Sequence, residues 1–106
     1  MIDPALVKQH CRIEPDFTDD DQLLGIYTGA AVRYVQTWTR RTLYKTEADM
    51  ADDPDGMVLS EDITSAILLY IGHLYENREA VVIGNAAARV PLAVESLLQP
   101  YKIYGL

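Results

Sequence analysis

His73 and Glu76 stand three residues apart, a spacing that puts an imidazole and a carboxylate on one face of a helix. Such a pair could supply two metal ligands or a general acid and base. A working site needs more partners than the chain offers. His10 is the only other histidine, and neither an HExxH motif nor a paired Glu-x-x-His motif occurs. A single histidine on an apolar helix reads as a hydrogen-bonded packing residue. The acidic stretch around Pro54-Asp55-Gly56 invites a calcium reading. With Gly56 at the sixth position of an EF-hand loop, Asp53 and Asp55 fall on the third and fifth, but Ala51 takes the first, where a carboxylate is required. The twelfth holds Asp62 in place of the usual glutamate. The register fails, and the stretch reads as a solvated loop.

Other chemistries fare no better. Ser60, Ser65 and Ser96 lack a G-x-S-x-G elbow. Gly25, Gly29, Gly72 and Gly84 form no phosphate-cradling loop; Gly25, Gly29 and Ala30 instead read as places where another helix can approach closely. Asp19, Asp20 and Asp21 suit the positive end of a helix dipole without any ion. Cys11, the one cysteine, rules out an intramolecular disulfide and reads as a buried thiol. Arg40-Arg41 with Lys45 is the only basic cluster, and helix-end charge with ion pairing to the acidic loop accounts for it. No catalytic, cofactor-binding or metal-ligating set emerges, so the chain reads as a non-enzyme.

The elements that would carry these residues are helical. Asp3-Pro4 opens a short helix with an N-cap acceptor and a proline at the first position, and Glu14-Pro15 is expected to close it. Thr18 is expected to cap a longer helix, with Asp21 three residues on in the capping-box position. Leu23, Leu24, Ile26, Tyr27, Ala30, Ala31, Tyr34, Val35 and Trp38 recur along it at helical spacing. Residues 42–59 read as irregular, and the weak strand character near Tyr44 does not justify a strand. Ser60 opens a third helix, apolar around most of its circumference and running to about Asn77. Residues 80–90 follow, with Gly84-Asn85 between β-branched residues, as a hairpin or an extended arm. Pro91 opens a last short helix that Pro100 stops, leaving Tyr101, Ile103, Tyr104 and Leu106 as an apolar tail. The expected fold class is therefore all-α, a bundle of about four helices with an arm or hairpin between the third and fourth.

The chain's 106 residues fit one domain, 1–106. A domain of this size buries only about two-thirds of the surface its unfolded chain exposes, so its stability margin is small. Nearly half of the residues are apolar (49%), which excludes compositional disorder. Sixteen acidic against nine basic residues give a net charge of −7, unsuited to general binding of nucleic acid phosphates. No basic leader opens the sequence, and residues 63–75, the longest uncharged apolar run, are too few to cross a bilayer. A cytoplasm-like compartment is expected until assembly. The apolar residues 80–90 and the apolar tail sit oddly on a solitary soluble monomer. Contiguous apolar surface usually marks a partner site, and head-to-tail contacts between copies can close into a ring.

One segment, His73-Leu74-Tyr75-Glu76-Asn77-Arg78-Glu79-Ala80-Val81, resembles the helix-to-arm region of the phage head–tail connector family, also described as DNA-packaging adaptors. Val7-Lys8-Gln9-His10-Cys11-Arg12-Ile13, with the acidic run that follows it, and the stretch from Pro91 to Tyr101 resemble the same family in the same order. The sequence departs from the pattern at Leu74, where an aromatic residue is expected, and at Lys102, where an arginine is common. The latter loses planar bidentate geometry. Residues 42–59 match no family pattern.

The resemblance implies a structural subunit that forms a ring of about twelve copies beneath the portal vertex of a tailed phage. It is made in the bacterial host cytoplasm and resides in the virion at the head–tail junction. The ring extends the DNA channel, which DNA traverses without specific binding, and docks a tail-side connector or stopper protein. No enzymatic activity, cofactor or membrane is implied. Arg78 and Glu79 then fall at a polar hinge, and Val81, Val82, Ile83, Arg89 and Val90 in the arm. Tyr101 and Tyr104 supply tail contacts to neighbours or portal. A different class fits the exposed carboxylates of residues 14–21 and 47–55: a small acidic helical regulatory module acting on a basic host or phage protein. Its signature would be a stable monomer or dimer. A metal-dependent hydrolase rests only on His73, Glu76 and the acidic loop, and metal analysis decides it.

Overall fold

The computed structural model describes residues 1–77 and 92–103. Asp3 begins helix α1 (Pro4–His10), its carboxylate accepting the Ala5 N–H at 2.9 Å, with Pro4 in the first turn. The helix stops earlier than Glu14-Pro15. The Ile13 N–H donates back to the Lys8 carbonyl at 2.9 Å and the Arg12 N–H to the Gln9 carbonyl at 3.2 Å, a Schellman closure with Arg12 left-handed at φ 59°. Glycine is the residue this conformation favours, and an L side chain there costs about 1 kcal/mol. Arg12 is exposed, as is Arg40, which ends the next helix at φ 62°. Arg12→Gly or Arg40→Gly is therefore expected to stabilise the fold by about 0.5–1 kcal/mol in urea unfolding.

Helix α2 (Asp21–Thr39) starts from Asp20 rather than Thr18. Thr18 contributes only its carbonyl, which accepts the Asp21 N–H at 3.2 Å. The Asp20 side chain makes no capping bond, because its carboxylate accepts the Tyr75 hydroxyl from the third helix at 2.7 Å. A tertiary hydrogen bond has displaced the local cap. Leu24, Ala31, Val35 and Thr39 form the buried stripe of α2, at helical spacing.

Residues 42–59 are not wholly irregular, and the all-α expectation needs correcting. Strands β1 (Leu43–Tyr44) and β2 (Met57–Val58) pair in parallel, Leu43 against Met57 and Tyr44 against Val58. A parallel pair needs a crossover of about a dozen residues, which residues 45–56 supply. Successive turns fold that crossover, with the Tyr44 hydroxyl donating to Asp53 Oδ2 at 2.9 Å and the Gln36 side-chain oxygen accepting the Leu43 N–H at 2.8 Å. Gly56 is required by close approach: a Cβ there would lie 2.7 Å from the Tyr44 ring and 2.8 Å from Met50 Cγ.

Helix α3 (Glu61–Glu76) is capped by Ser60, whose hydroxyl accepts the Ile63 N–H at 3.4 Å. Ile63, Ala66, Ile67, Ile71 and Leu74 are buried along it, and α1, α2 and helix α4 (Leu92–Leu98) all pack on it. It is the central helix, as its all-round apolar pattern implied. Val94 and Leu98 bury the inner face of α4, and a 3₁₀ turn (Gln99–Tyr101) containing Pro100 follows. The protein is thus mostly helical, with four α-helices among the described residues and one small sheet.

Tyr34 of α2 stacks on Tyr70 of α3 with ring centroids 4.6 Å apart. Burial pushes both phenols above the ordinary value of 10.0, and Glu95 adds to the effect at Tyr34. A group whose folded pKa is raised stabilises fully below its unfolded pKa and loses that contribution as pH climbs through the folded one. Stability is expected to fall above about pH 10. Replacing both tyrosines with phenylalanine flattens that alkaline limb in urea titrations at stepped pH.

Candidate functional site

His73 is held from its own helix. The Asn77 side-chain amide donates to the His73 carbonyl at 3.0 Å and lies 3.3 Å from Nδ1. The His73 Nε2 is buried and has no hydrogen-bond partner among the described residues. Glu76 is exposed, with its charge directed toward Cys11. Burial, with this carboxylate adding, raises the Cys11 thiol pKa, so the cysteine is a poor nucleophile. His10 faces elsewhere, over Gly72, where a Cβ would sit 3.0 Å from its Nε2. Among the described residues, no three His, Cys, Asp or Glu side chains come together as metal ligands.

The other candidate residues are engaged in folding. Asp53 accepts the Asp55 N–H on Oδ1 at 3.1 Å and the Tyr44 hydroxyl on Oδ2. That hydrogen bond, with burial and the carboxylate charge adding, raises the Tyr44 pKa. Asp21 pairs with Lys8 Nζ at 2.9 Å, and the same ammonium donates to the Phe17 carbonyl at 2.8 Å and the Pro15 carbonyl at 3.3 Å. The Lys8 side chain is only 12% exposed, a cation used to close the α1–α2 turn. Arg41 does not pair with the acidic loop; it donates to the backbone carbonyls of Tyr101 and Gly56. Arg40 and Lys45 are exposed.

Of the expected interface residues, Arg78, Glu79, Val81, Val82, Ile83, Arg89, Val90 and Tyr104 lie outside the described residues. Tyr101 lies within them, half-buried against its own core, its hydroxyl 3.4 Å from Ser60 Oγ and donating to Asp62 at 3.3 Å. The chain beyond it also turns inward. Lys102 Nζ sits 4.4 Å over the Trp38 ring, and the Ile103 N–H donates to the Thr39 carbonyl at 3.0 Å. The first part of the apolar tail is therefore covered by its own subunit, because the end of α2 offers both an indole face and an unsatisfied carbonyl.

Uncovered apolar surface lies at the other end of the chain. Met1, Leu6, Phe17 and Ile26 are exposed, Ile26 to 60%, and all belong to α1, its flanks and the first half of α2. The same elements wall a groove of about 840 Å³ whose lining includes Ile2, Ile13, Leu24 and Gly25. No described residue makes the close helix approach expected at Gly25 and Gly29, since among the described residues no atom lies within 4 Å of a Cβ built at either. Among the described residues, Leu92, 69% exposed, is the other large apolar side chain in solvent. Sequence reading missed the groove; of the small residues it singled out on α2, Gly25 alone lines it.

Among the described residues no three metal-ligating side chains come together, and the large apolar side chains left in solvent lie mainly on α1, its flanks and α2. None of the helices among the described residues is long and apolar enough to span a membrane. No curated protein and no solved structure matches the chain. A family model described as phage gp6-like head-tail connector protein matches residues 2–102, which takes in every described helix and both strands. That description implies a structural role at the head–tail junction of a phage virion, between head-side and tail-side proteins. With the match covering nearly the whole sequence, the chain belongs to the phage gp6-like head-tail connector family.

Proposed function

We propose that the protein is the repeating subunit of a ring of about twelve copies that sits beneath the phage portal, extends the DNA channel and docks a tail-side connector or stopper protein. The family match over residues 2–102 carries this reading. The apolar surface on α1 and α2 supports it, because a solitary domain of this size gains nothing from leaving four large apolar side chains in water. In this reading residues 81–90 form the arm to neighbouring copies and Arg78 with Glu79 its polar hinge. Tyr104, and the outward face of Tyr101, contribute to contacts with neighbours or portal. The net charge of −7 per subunit suits a channel that repels phosphates and lets the duplex slide.

Replacing residues 81–89 with a short Gly-Ser link is expected to leave a helical, folded monomer that forms no ring, read by circular dichroism and native mass spectrometry. Rings that persist after the replacement would remove the arm assignment. The intact ring is expected to bind duplex DNA weakly even at low salt, and tight binding would sink the channel argument.

A further inference from the structure

We propose that the α1–α2 groove of one copy is the seat for residues 80–90 of a neighbouring copy. The inference rests on the ring reading above and names the surface its arm would use. The groove holds about 840 Å³, with Ile2, Ile13 and Leu24 on its walls and, among the described residues, open space above Gly25. A cleft of that size has room for part of a segment with small side chains. Residues 80–90 have that composition: four alanines, three valines, an isoleucine, a glycine and an asparagine, with Arg89 as the one charge.

Chain length points the same way. The charged lining of the groove is balanced, Glu14 and Asp21 against Lys8 and Arg12, with Lys8 committed to Asp21 and two carbonyls, so apolar contact carries the fit. The fourteen residues 78–91 between α3 and α4, run out and back at full extension, reach about 23 Å. The subunit is 18 Å across its thinnest dimension, so a segment tethered at both ends can cross to a copy packed alongside. A contact of groove on one copy to arm on the next is heterologous, the kind that closes rings.

The test uses full-length protein carrying Cys11→Ala. Two differently tagged versions are co-expressed, one with Gly25→Cys and one with Ala86→Cys, and exposed to a mild oxidant. The expected result is a disulfide joining the two tags, absent when Ala48→Cys replaces Gly25→Cys. Rings in native mass spectrometry without that cross-link, or with equal linkage to Ala48→Cys, overturn the groove assignment while leaving the ring reading intact. A Gly25→Cys/Ala86→Cys double variant that closes within a single chain, while the co-expressed pair stays unlinked, overturns it in favour of the arm's own subunit. A monomer with no cross-link overturns the groove assignment and the ring together.

Discussion

Ile67→Ala is expected to cost about 4 kcal/mol in urea unfolding. Ile67 is wholly buried on α3, the helix on which α1, α2 and α4 all pack. Truncation removes most of an apolar side chain from water-free surroundings and leaves a cavity that three helices would have to collapse together to close. A domain of this length has about 5–15 kcal/mol in total, so the variant would sit near the edge of folding at 37 °C. Assembly changes what is measured. Anything that binds only the folded chain shifts the equilibrium toward it. In a ring-forming protein the loss should therefore be greatest in dilute monomer and shrink as concentration rises. A cost below about 1.5 kcal/mol in the monomer would mean that α3 is not the centre of the core.

The features legible in the sequence were those with a period or a local chemical signature. The apolar stripe of α3 and most of that of α2 reached the core, with Ile26 and Ala30 of α2 left in solvent, and Asp3 and Ser60 cap the helices they precede. The misses share a cause: each was decided by a residue distant in sequence. Thr18 followed a sound local rule, yet Asp20 took the boundary and gave its carboxylate to Tyr75, fifty-five positions on. Strands of two residues carry no period, so the pairing of Leu43 with Met57 was visible only once the crossover had folded. Arg12 in a left-handed closure defies the residue statistics that would have marked the end of α1. The groove was half legible: the small residues of α2 announced a close approach, but not that the described residues leave the space beside Gly25 open.

Arg41→Met is expected to cost about 3 kcal/mol and to release the carboxyl end, whereas Arg40→Gly next door stabilises. The two arginines look alike in sequence, and only structure separates them. Arg41 Nε donates to the Tyr101 carbonyl and Nη1 to the Gly56 carbonyl at 3.3 Å, so one half-buried guanidinium ties the crossover after β1 to the turn after α4. Each is a charge-assisted bond, worth about 1.5–3 kcal/mol, and methionine keeps the stem while removing both. Lysine should rescue little, because a single ammonium lacks the planar fork that reaches two carbonyls at once. Trp38, the only tryptophan, supplies the readout, since Lys102 lies over its ring only while residues 101–103 stay docked on α2. In Arg41→Met its emission should shift toward the solvent-exposed value before global unfolding begins, giving two transitions where the parent shows one. Coincident transitions, or a loss no greater than a surface substitution, would mean that the tail docks without this tie. If the tie holds, the acidic crossover and the carboxyl end move as one body. Arg41 of the one basic cluster then serves to hold the two together.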